Sequence, residues 1–187
     1  ISKYHPKKSV IEAINHGIRF FGENKVQEAK EKYQDLKNIY PDIRLHFTGN
    51  LQTNKIKQAV QLFDVFHTVY KEKQLIEFSK FPDQIKKKEF LVQVNSGSEE
   101  AKGGLLVEDV NNFVKTSSNK YNIDIVGLMC IPPIDDNPVD HFMILKELSK
   151  KLKLNKLSMG MSADYKEAIS CGSNYVRIGS LFFGERN

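Results

Sequence analysis

At 187 residues, with 40% hydrophobic and 27% charged side chains, the chain can bury a substantial single core and has the make-up of a globular protein. It contains no apolar run near the roughly 20 residues of a membrane span, and its two cysteines, Cys130 and Cys171, form no CxxC, so a membrane anchor, zinc site or disulfide framework is not expected. The net charge is +5, but the lysines at 86–88 and 150–156 are interleaved with acidic residues and lack an aromatic-rich motif, so solvated helix ends explain them better than a nucleic-acid surface.

In chain order, apolar β-prone segments fall at 1–3, 19–21, 45–48, 65–69, 90–94, 125–131, 156–159 and 175–178. Segments with helical periodicity lie between them. Val26, Ala29, Tyr33 and Leu36 make one apolar stripe; Val107, Val110, Phe113 and Val114 make a second; Phe142, Leu145, Leu148 and Leu152 make a third. Gly17 and Gly172 stand where helices stop in a left-handed residue. Strand–helix alternation predicts a parallel sheet, and eight repeats favour a closed (β/α)8 TIM barrel over an open doubly wound sheet. The whole of 1–187 reads as a single domain with lean loops, because such barrels rarely fall below about 200 residues. Function in that architecture gathers on the loops after the strands, where Lys3, Glu23, Asn24, Gly49, Asn95, Pro132, Ser162 and Gly179 fall.

The richest stretch is the end of the chain. Ser162 stands where a strand gives way to a helix, so its side chain is expected to cap that helix, whose free N–H groups suit a phosphate. Gly179 and Ser180 offer a second backbone approach with no Cβ at the glycine. Arg177 lies between Val176 and Ile178, inside an apolar strand. It is one of only four arginines among 28 basic residues (the others are Arg19, Arg44 and Arg186), and a buried guanidinium calls for a partner.

Ser2-Lys3-x-x-Pro6, Phe21-Gly22-Glu23-Asn24 with Gln27-Glu28, and His46-Phe47-x-Gly49-x-Leu51-Gln52-x-Asn54-Lys55 form an ordered series of motifs. Val94-Asn95, Gly127-Leu128-Met129, Leu157-Ser158-Met159-Gly160-Met161-Ser162 and Val176-Arg177-Ile178-Gly179 with Phe183-Gly184-Glu185-Arg186 continue it to the end of the chain. In this the sequence resembles the pyridoxal phosphate homeostasis proteins, which are similar in fold to the N-terminal barrel of alanine racemase. Leu45, Lys102-Gly103-Gly104 and Asn174 depart from the family pattern without touching the proposed cofactor residues. The chain begins with Ile1, so the family's N-terminal helix, part of strand one and any organelle-targeting segment are expected to lie outside it.

The resemblance implies a barrel that carries pyridoxal 5′-phosphate as a Schiff base on Lys3, a role that needs a neutral amine. Without the resemblance, Lys3 is one solvated lysine among many. Ser162, Gly179 and Ser180 would hold the phosphate. The likeness to alanine racemase aims Arg177 at the pyridine nitrogen; a guanidinium only donates, so that nitrogen stays neutral and the ring stabilises a carbanion poorly. Asn24 either contacts the cofactor or opens a helix with Gln27 as a capping-box-like partner. His46 is either a cofactor contact or a satisfied core histidine, and Met161 lines the pocket or packs in the core. Cys130 reads as a small buried hydrophobe.

The implied function is intracellular vitamin B6 homeostasis without robust catalysis, in a cytoplasmic monomer that supplies pyridoxal phosphate-dependent apoenzymes and binds neither nucleic acid nor membrane. The alternative is a racemase or aldolase on the same barrel. Racemisation needs a base on each face of the substrate, supplied in the racemases by a second domain and a dimer partner, and no such domain follows Asn187. A third reading is a phosphate-binding barrel enzyme without pyridoxal phosphate.

Overall fold

A strand covered on both faces reads as an unbroken apolar run, and Val65–Val69 is buried at all five positions. Six further strands, less completely buried, join it in one parallel sheet in sequence order: β1 (Phe20–Glu23), β2 (Arg44–Phe47), β3 (Val65–Val69), β4 (Glu89–Gln93), β5 (Ile125–Met129), β6 (Lys156–Met161) and β7 (Tyr175–Arg177). The computed structural model describes residues 1–99 and 101–184, so Glu185 and Arg186 of the last motif lie outside the described residues. Helices cover the outer surface, and the seven strands curl into a nearly closed barrel of the TIM type.

The expected first strand is where the structure departs from the eightfold reading. Residues 1–3 form no strand; instead Ser2 N–H bonds Gly22 O at 2.9 Å and the Ile1 nitrogen bonds Ile178 O. One short extended piece therefore bridges β1 and the end of β7. Directly after it, His5 N–H closes a turn onto Ser2 O at 3.1 Å, so the chain leaves the seam before a ladder can form.

Outside the barrel, the predicted stripes are the buried faces. Val26, Ala29 and Tyr33 of helix Val26–Tyr33, Val110 and Phe113 of helix Val110–Tyr121, and Phe142 and Leu145 of helix Pro138–Lys151 all point into the core. The last helix has clear local causes. Asn137 accepts a bond from Val139 N–H, Pro138 sits in the first turn, and Lys150 and Lys151 sit at the C-terminal end of the dipole. Burying Phe142 and Leu145 completely contributes about 2–3 kcal/mol each. Gly17 (φ 87°) and Gly172 (φ 97°) take the left-handed conformation that stops a helix. Between sheet and helices, Phe66 stacks on Phe90 at 5.5 Å and Phe78 meets both edge-on.

Candidate functional site

At the C-terminal ends of the strands lies a cavity of about 320 Å³. It brings together Lys3, Met161, Ser162, Arg177, Gly179 and Ser180, with Thr48 and Ile131 completing the wall. Lys3 comes from the bridging piece, Met161 and Ser162 from the end of β6, and the remaining three from the end of β7. Asn24 and His46 do not line it.

Ser162 does not cap a helix. The next helix, Tyr165–Ser170, begins three residues later with Asp164 at its N-cap, and Asp164 Oδ1 accepts Met161 N–H at 2.6 Å. Ser162 Oγ instead accepts the N–H groups of Gly179 at 3.3 Å and Leu181 at 3.5 Å. The loops after β6 and β7 thus converge on one point, where the hydroxyl-bearing Ser162 and Ser180 and the Cβ-free Gly179 line a space suited to an anion.

Arg177 is 8% exposed, and its partners are not carboxylates. Its Nη1 donates to Ser158 O and Ser158 Oγ, and its Nη2 to Cys130 O, each at 2.8 Å. The guanidinium is held rigidly, while its positive charge has no carboxylate within ion-pair distance among the described residues. Such a charge favours an anionic or lone-pair-bearing ligand in the cavity.

Behind Arg177 runs a directional chain of hydrogen bonds. Because a guanidinium only donates, Ser158 Oγ gives its own proton to His67 Nδ1 at 2.8 Å. His67 then carries its proton on Nε2 and gives it to His46 Nδ1, also at 2.8 Å. That leaves the His46 proton on Nε2, an atom with no partner. Burial, and then the Arg44 charge, push His46 down to about 4. His67 lies well below its ordinary value, first through burial and then through the charges of His46 and Arg177. Both values favour neutral rings at pH 7. His46 borders an adjoining cavity of about 490 Å³, which it shares with His67, Tyr175 and Arg177.

Asn24 is also elsewhere. It borders a third cavity of about 480 Å³ with Lys25, Gln27, Asn50, Gln52 and Lys55, and its buried Oδ1 has no partner. Gln27 bonds Glu31 and forms no capping box, since Lys25 is the N-cap of its helix.

Ser2, Glu23, Glu28, Lys32 and Tyr33 surround the base of Lys3; in the sequence only Glu23 stood out, as a residue after a strand, and Tyr33 only as part of an apolar stripe. Lys32 spends all three of its N–H groups, on Ser2 O (2.8 Å), Glu23 Oε1 (3.0 Å) and Glu28 Oε1 (2.6 Å). Ser2 Oγ donates to Glu23 Oε1 at 2.8 Å, so the 2.7 Å contact with Tyr33 must have the phenol as donor. Burial raises the Glu23 carboxyl above its ordinary value, with the Lys32 charge opposing. Burial acts the same way on Glu28, but bonds from Lys32 and Tyr4 N–H hold that carboxyl below its ordinary value. The signal in the sequence was a lysine on an apolar stripe, one residue before Tyr33.

With this geometry in place, comparison with known proteins is informative. The family model described as alanine racemase, N-terminal domain, matches residues 2–187. The pyridoxal phosphate homeostasis protein of Aquifex aeolicus is 39% identical over 196 residues, which cover 99% of this chain and 85% of that protein. The solved structure of PipY from Synechococcus elongatus without PLP superposes with a TM-score of 0.89 at 31% identity, covering 98% of this chain and 90% of PipY. The structure of PipY with PLP bound superposes with a TM-score of 0.84 at 30% identity, over the same shares of each chain.

Proposed function

The chain belongs to the pyridoxal phosphate homeostasis proteins, and from that premise we propose that it holds pyridoxal 5′-phosphate in the cavity at the barrel mouth, linked to Lys3. The observation that carries this reading is the convergence of Lys3, Ser162, Arg177, Gly179 and Ser180 on one space of about 320 Å³. Bound there, the cofactor supplies an electrophilic aldehyde. Lys3 would supply the amine that holds this aldehyde reversibly, with water as the only by-product. Ser162 and Ser180 offer hydroxyls to the phosphate, and the Gly179 and Leu181 N–H groups fix the Ser162 oxygen so that its proton is free to turn towards that anion. Arg177, fixed from behind by Ser158 and Cys130, presents a donor that cannot protonate a ring nitrogen.

That arrangement favours storage and delivery of vitamin B6 over catalysis. Among the described residues no carboxylate, histidine, tyrosine or cysteine lines the cavity, so none of them stands as a base opposed to Lys3. The relatives' name, homeostasis protein, agrees with this reading. We read residues 1–187 as one working barrel, monomeric and cytoplasmic, that hands cofactor to apoenzymes.

The test is reduction with borohydride after loading with pyridoxal phosphate, followed by peptide mapping. The pyridoxyl label is expected on Lys3. A label on Lys25, whose amine lies over the same Tyr4 ring, would overturn the anchor.

A further inference from the structure

Lys3 occupies the second position of a tight turn that runs from Ser2 to His5. The third position, Tyr4, has φ 66°, a left-handed conformation that costs a non-glycine residue about 1–2 kcal/mol. Glycine or asparagine is the usual choice there. Strain of this kind persists only where the surroundings over-determine it, and here they do. The residue before Lys3 is tied at every polar atom: Ser2 N–H to Gly22 O, Ser2 O to Lys32 and His5, and Ser2 Oγ to Glu23 and Tyr33. The residue after it is tied through its N–H to Glu28 Oε1 at 2.6 Å. Both anchors meet in one cation, because Lys32 bridges Glu23 and Glu28.

We infer that Lys32, with Glu23 and Glu28, is a positioning cluster that sets where the Lys3 amine stands in the cavity. This rests on the reading of Lys3 as the cofactor anchor. None of the three side chains lines the cavity; only the Glu23 main-chain carbonyl meets its wall, accepting from Thr48. It acts through main chain on either side of one residue, at groups fully buried (Glu23, Ser2) or nearly so (Lys32, 7% exposed). Burying the Glu23 carboxylate and the Lys32 ammonium is costly for stability alone, since apolar residues of similar volume often serve as well. The arrangement makes physical sense as a way of holding a strained turn with short, charge-assisted bonds. Attack on an aldehyde is sensitive to placement at the scale of 1 Å, whereas phosphate capture at the far wall is not linked to this turn.

The experiment compares two ligands that differ only at the reacting carbon. Pyridoxal phosphate can condense with Lys3; pyridoxamine phosphate carries an amine there and cannot. In Lys32→Met the affinity for pyridoxal phosphate is expected to fall about tenfold or more, while that for pyridoxamine phosphate changes less than about twofold. Lys32→Arg, which keeps the charge and the donors, should recover much of the loss. Should Lys32→Met fail to fold, Glu28→Ala decides: Glu28 is only partly buried, and its removal frees the Tyr4 N–H and one of the three Lys32 N–H groups while leaving Lys32 on Ser2 O and Glu23. A selective loss for the aldehyde, of about threefold or more, is expected there too. Parallel losses for both ligands, or no loss for either, would overturn the inference. Borohydride mapping of the unsubstituted protein keeps the two ideas apart. A label away from Lys3 removes the anchor reading itself, whereas a label on Lys3 with aldehyde affinity unchanged in the variants removes only the cluster's role.

Discussion

Lys3 and Arg177 share one cavity, yet the groups that hold them are of opposite kinds. Around Lys3 the support is ionic: two carboxylates, one ammonium and short bonds of 2.6–3.0 Å. Behind Arg177 it is neutral, a file of serine and two uncharged histidines whose protons all point away from the guanidinium. An ionic cluster fails when one partner is removed, because the remaining charges are stranded in a medium that solvates them poorly. A neutral file fails when it is charged. The two halves of the site should therefore respond to different insults, the first to substitution and the second to acid.

The strongest way to break that contrast is at the point where the neutral file ends. Arg177→Glu sets a carboxylate against Ser158 O and Cys130 O, which would both lose the guanidinium's donors. It should lower the unfolding free energy by more than about 3 kcal/mol, read from the denaturant midpoint, and abolish retention of pyridoxal phosphate. A stable variant with unchanged retention would show that the guanidinium is neither buried support nor ligand contact.

Acid tests the file itself. Folded His46 takes up its proton only near pH 4, against about 6.5 for an unfolded histidine. Between those values the unfolded chain binds more protons. Stability that is full above pH 6.5 therefore drains as pH falls towards 4, by up to about 3 kcal/mol from His46, with His67 adding in the same direction. Denaturation curves across that window should show the decline, and His46→Phe should flatten it; equal slopes would break the assignment of neutral rings. Glu23 works the other way. Its raised value favours the protonated folded state, so its contribution is present in acid and shrinks as pH climbs above its ordinary carboxyl range.

The smallest expected effect sharpens the comparison further. Ser158→Ala removes one of three bonds to Arg177 and the donor to His67 but leaves Ser158 O in place. About 1 kcal/mol of stability should be lost, with a shifted absorbance band of bound cofactor as a second readout. A loss near that of Arg177→Glu would mean that the file, and not the carbonyls, carries the arginine.

What the sequence revealed depended on how local its cause was. Val65–Val69 announces itself because both faces of a barrel strand are covered, and Phe142 and Leu145 because a helix repeats its buried face every three to four residues. The motif resemblance put Lys3, Ser162, Arg177 and Gly179 on one list, and they do meet in one cavity. His46 could not be placed from its own strand. Its neighbour His67 lies 21 residues on and Ser158 a further 91, and only the closing of the barrel brings them into line. Ser162 misled for a related reason: a serine after a strand suggests a cap, but Asp164 takes the start of the helix and leaves the hydroxyl to the next loop. Lys32 escaped notice because a lysine on a helix is ordinarily solvated, and nothing near it in sequence tells of Ser2, 30 residues earlier.

The joint where Ile1 meets Ile178 has a consequence for the order of folding. These residues are 177 positions apart, and joining them is among the entropically most expensive closures available to the chain. The pocket's two principal walls, Lys3 on one side and the 177–180 stretch on the other, come into being only when that closure occurs. A half-folded chain accordingly lacks that pocket. Any molecule spanning both walls acts as a bolt, adding about 2.7 kcal/mol to the folded state at a hundredfold excess over its dissociation constant.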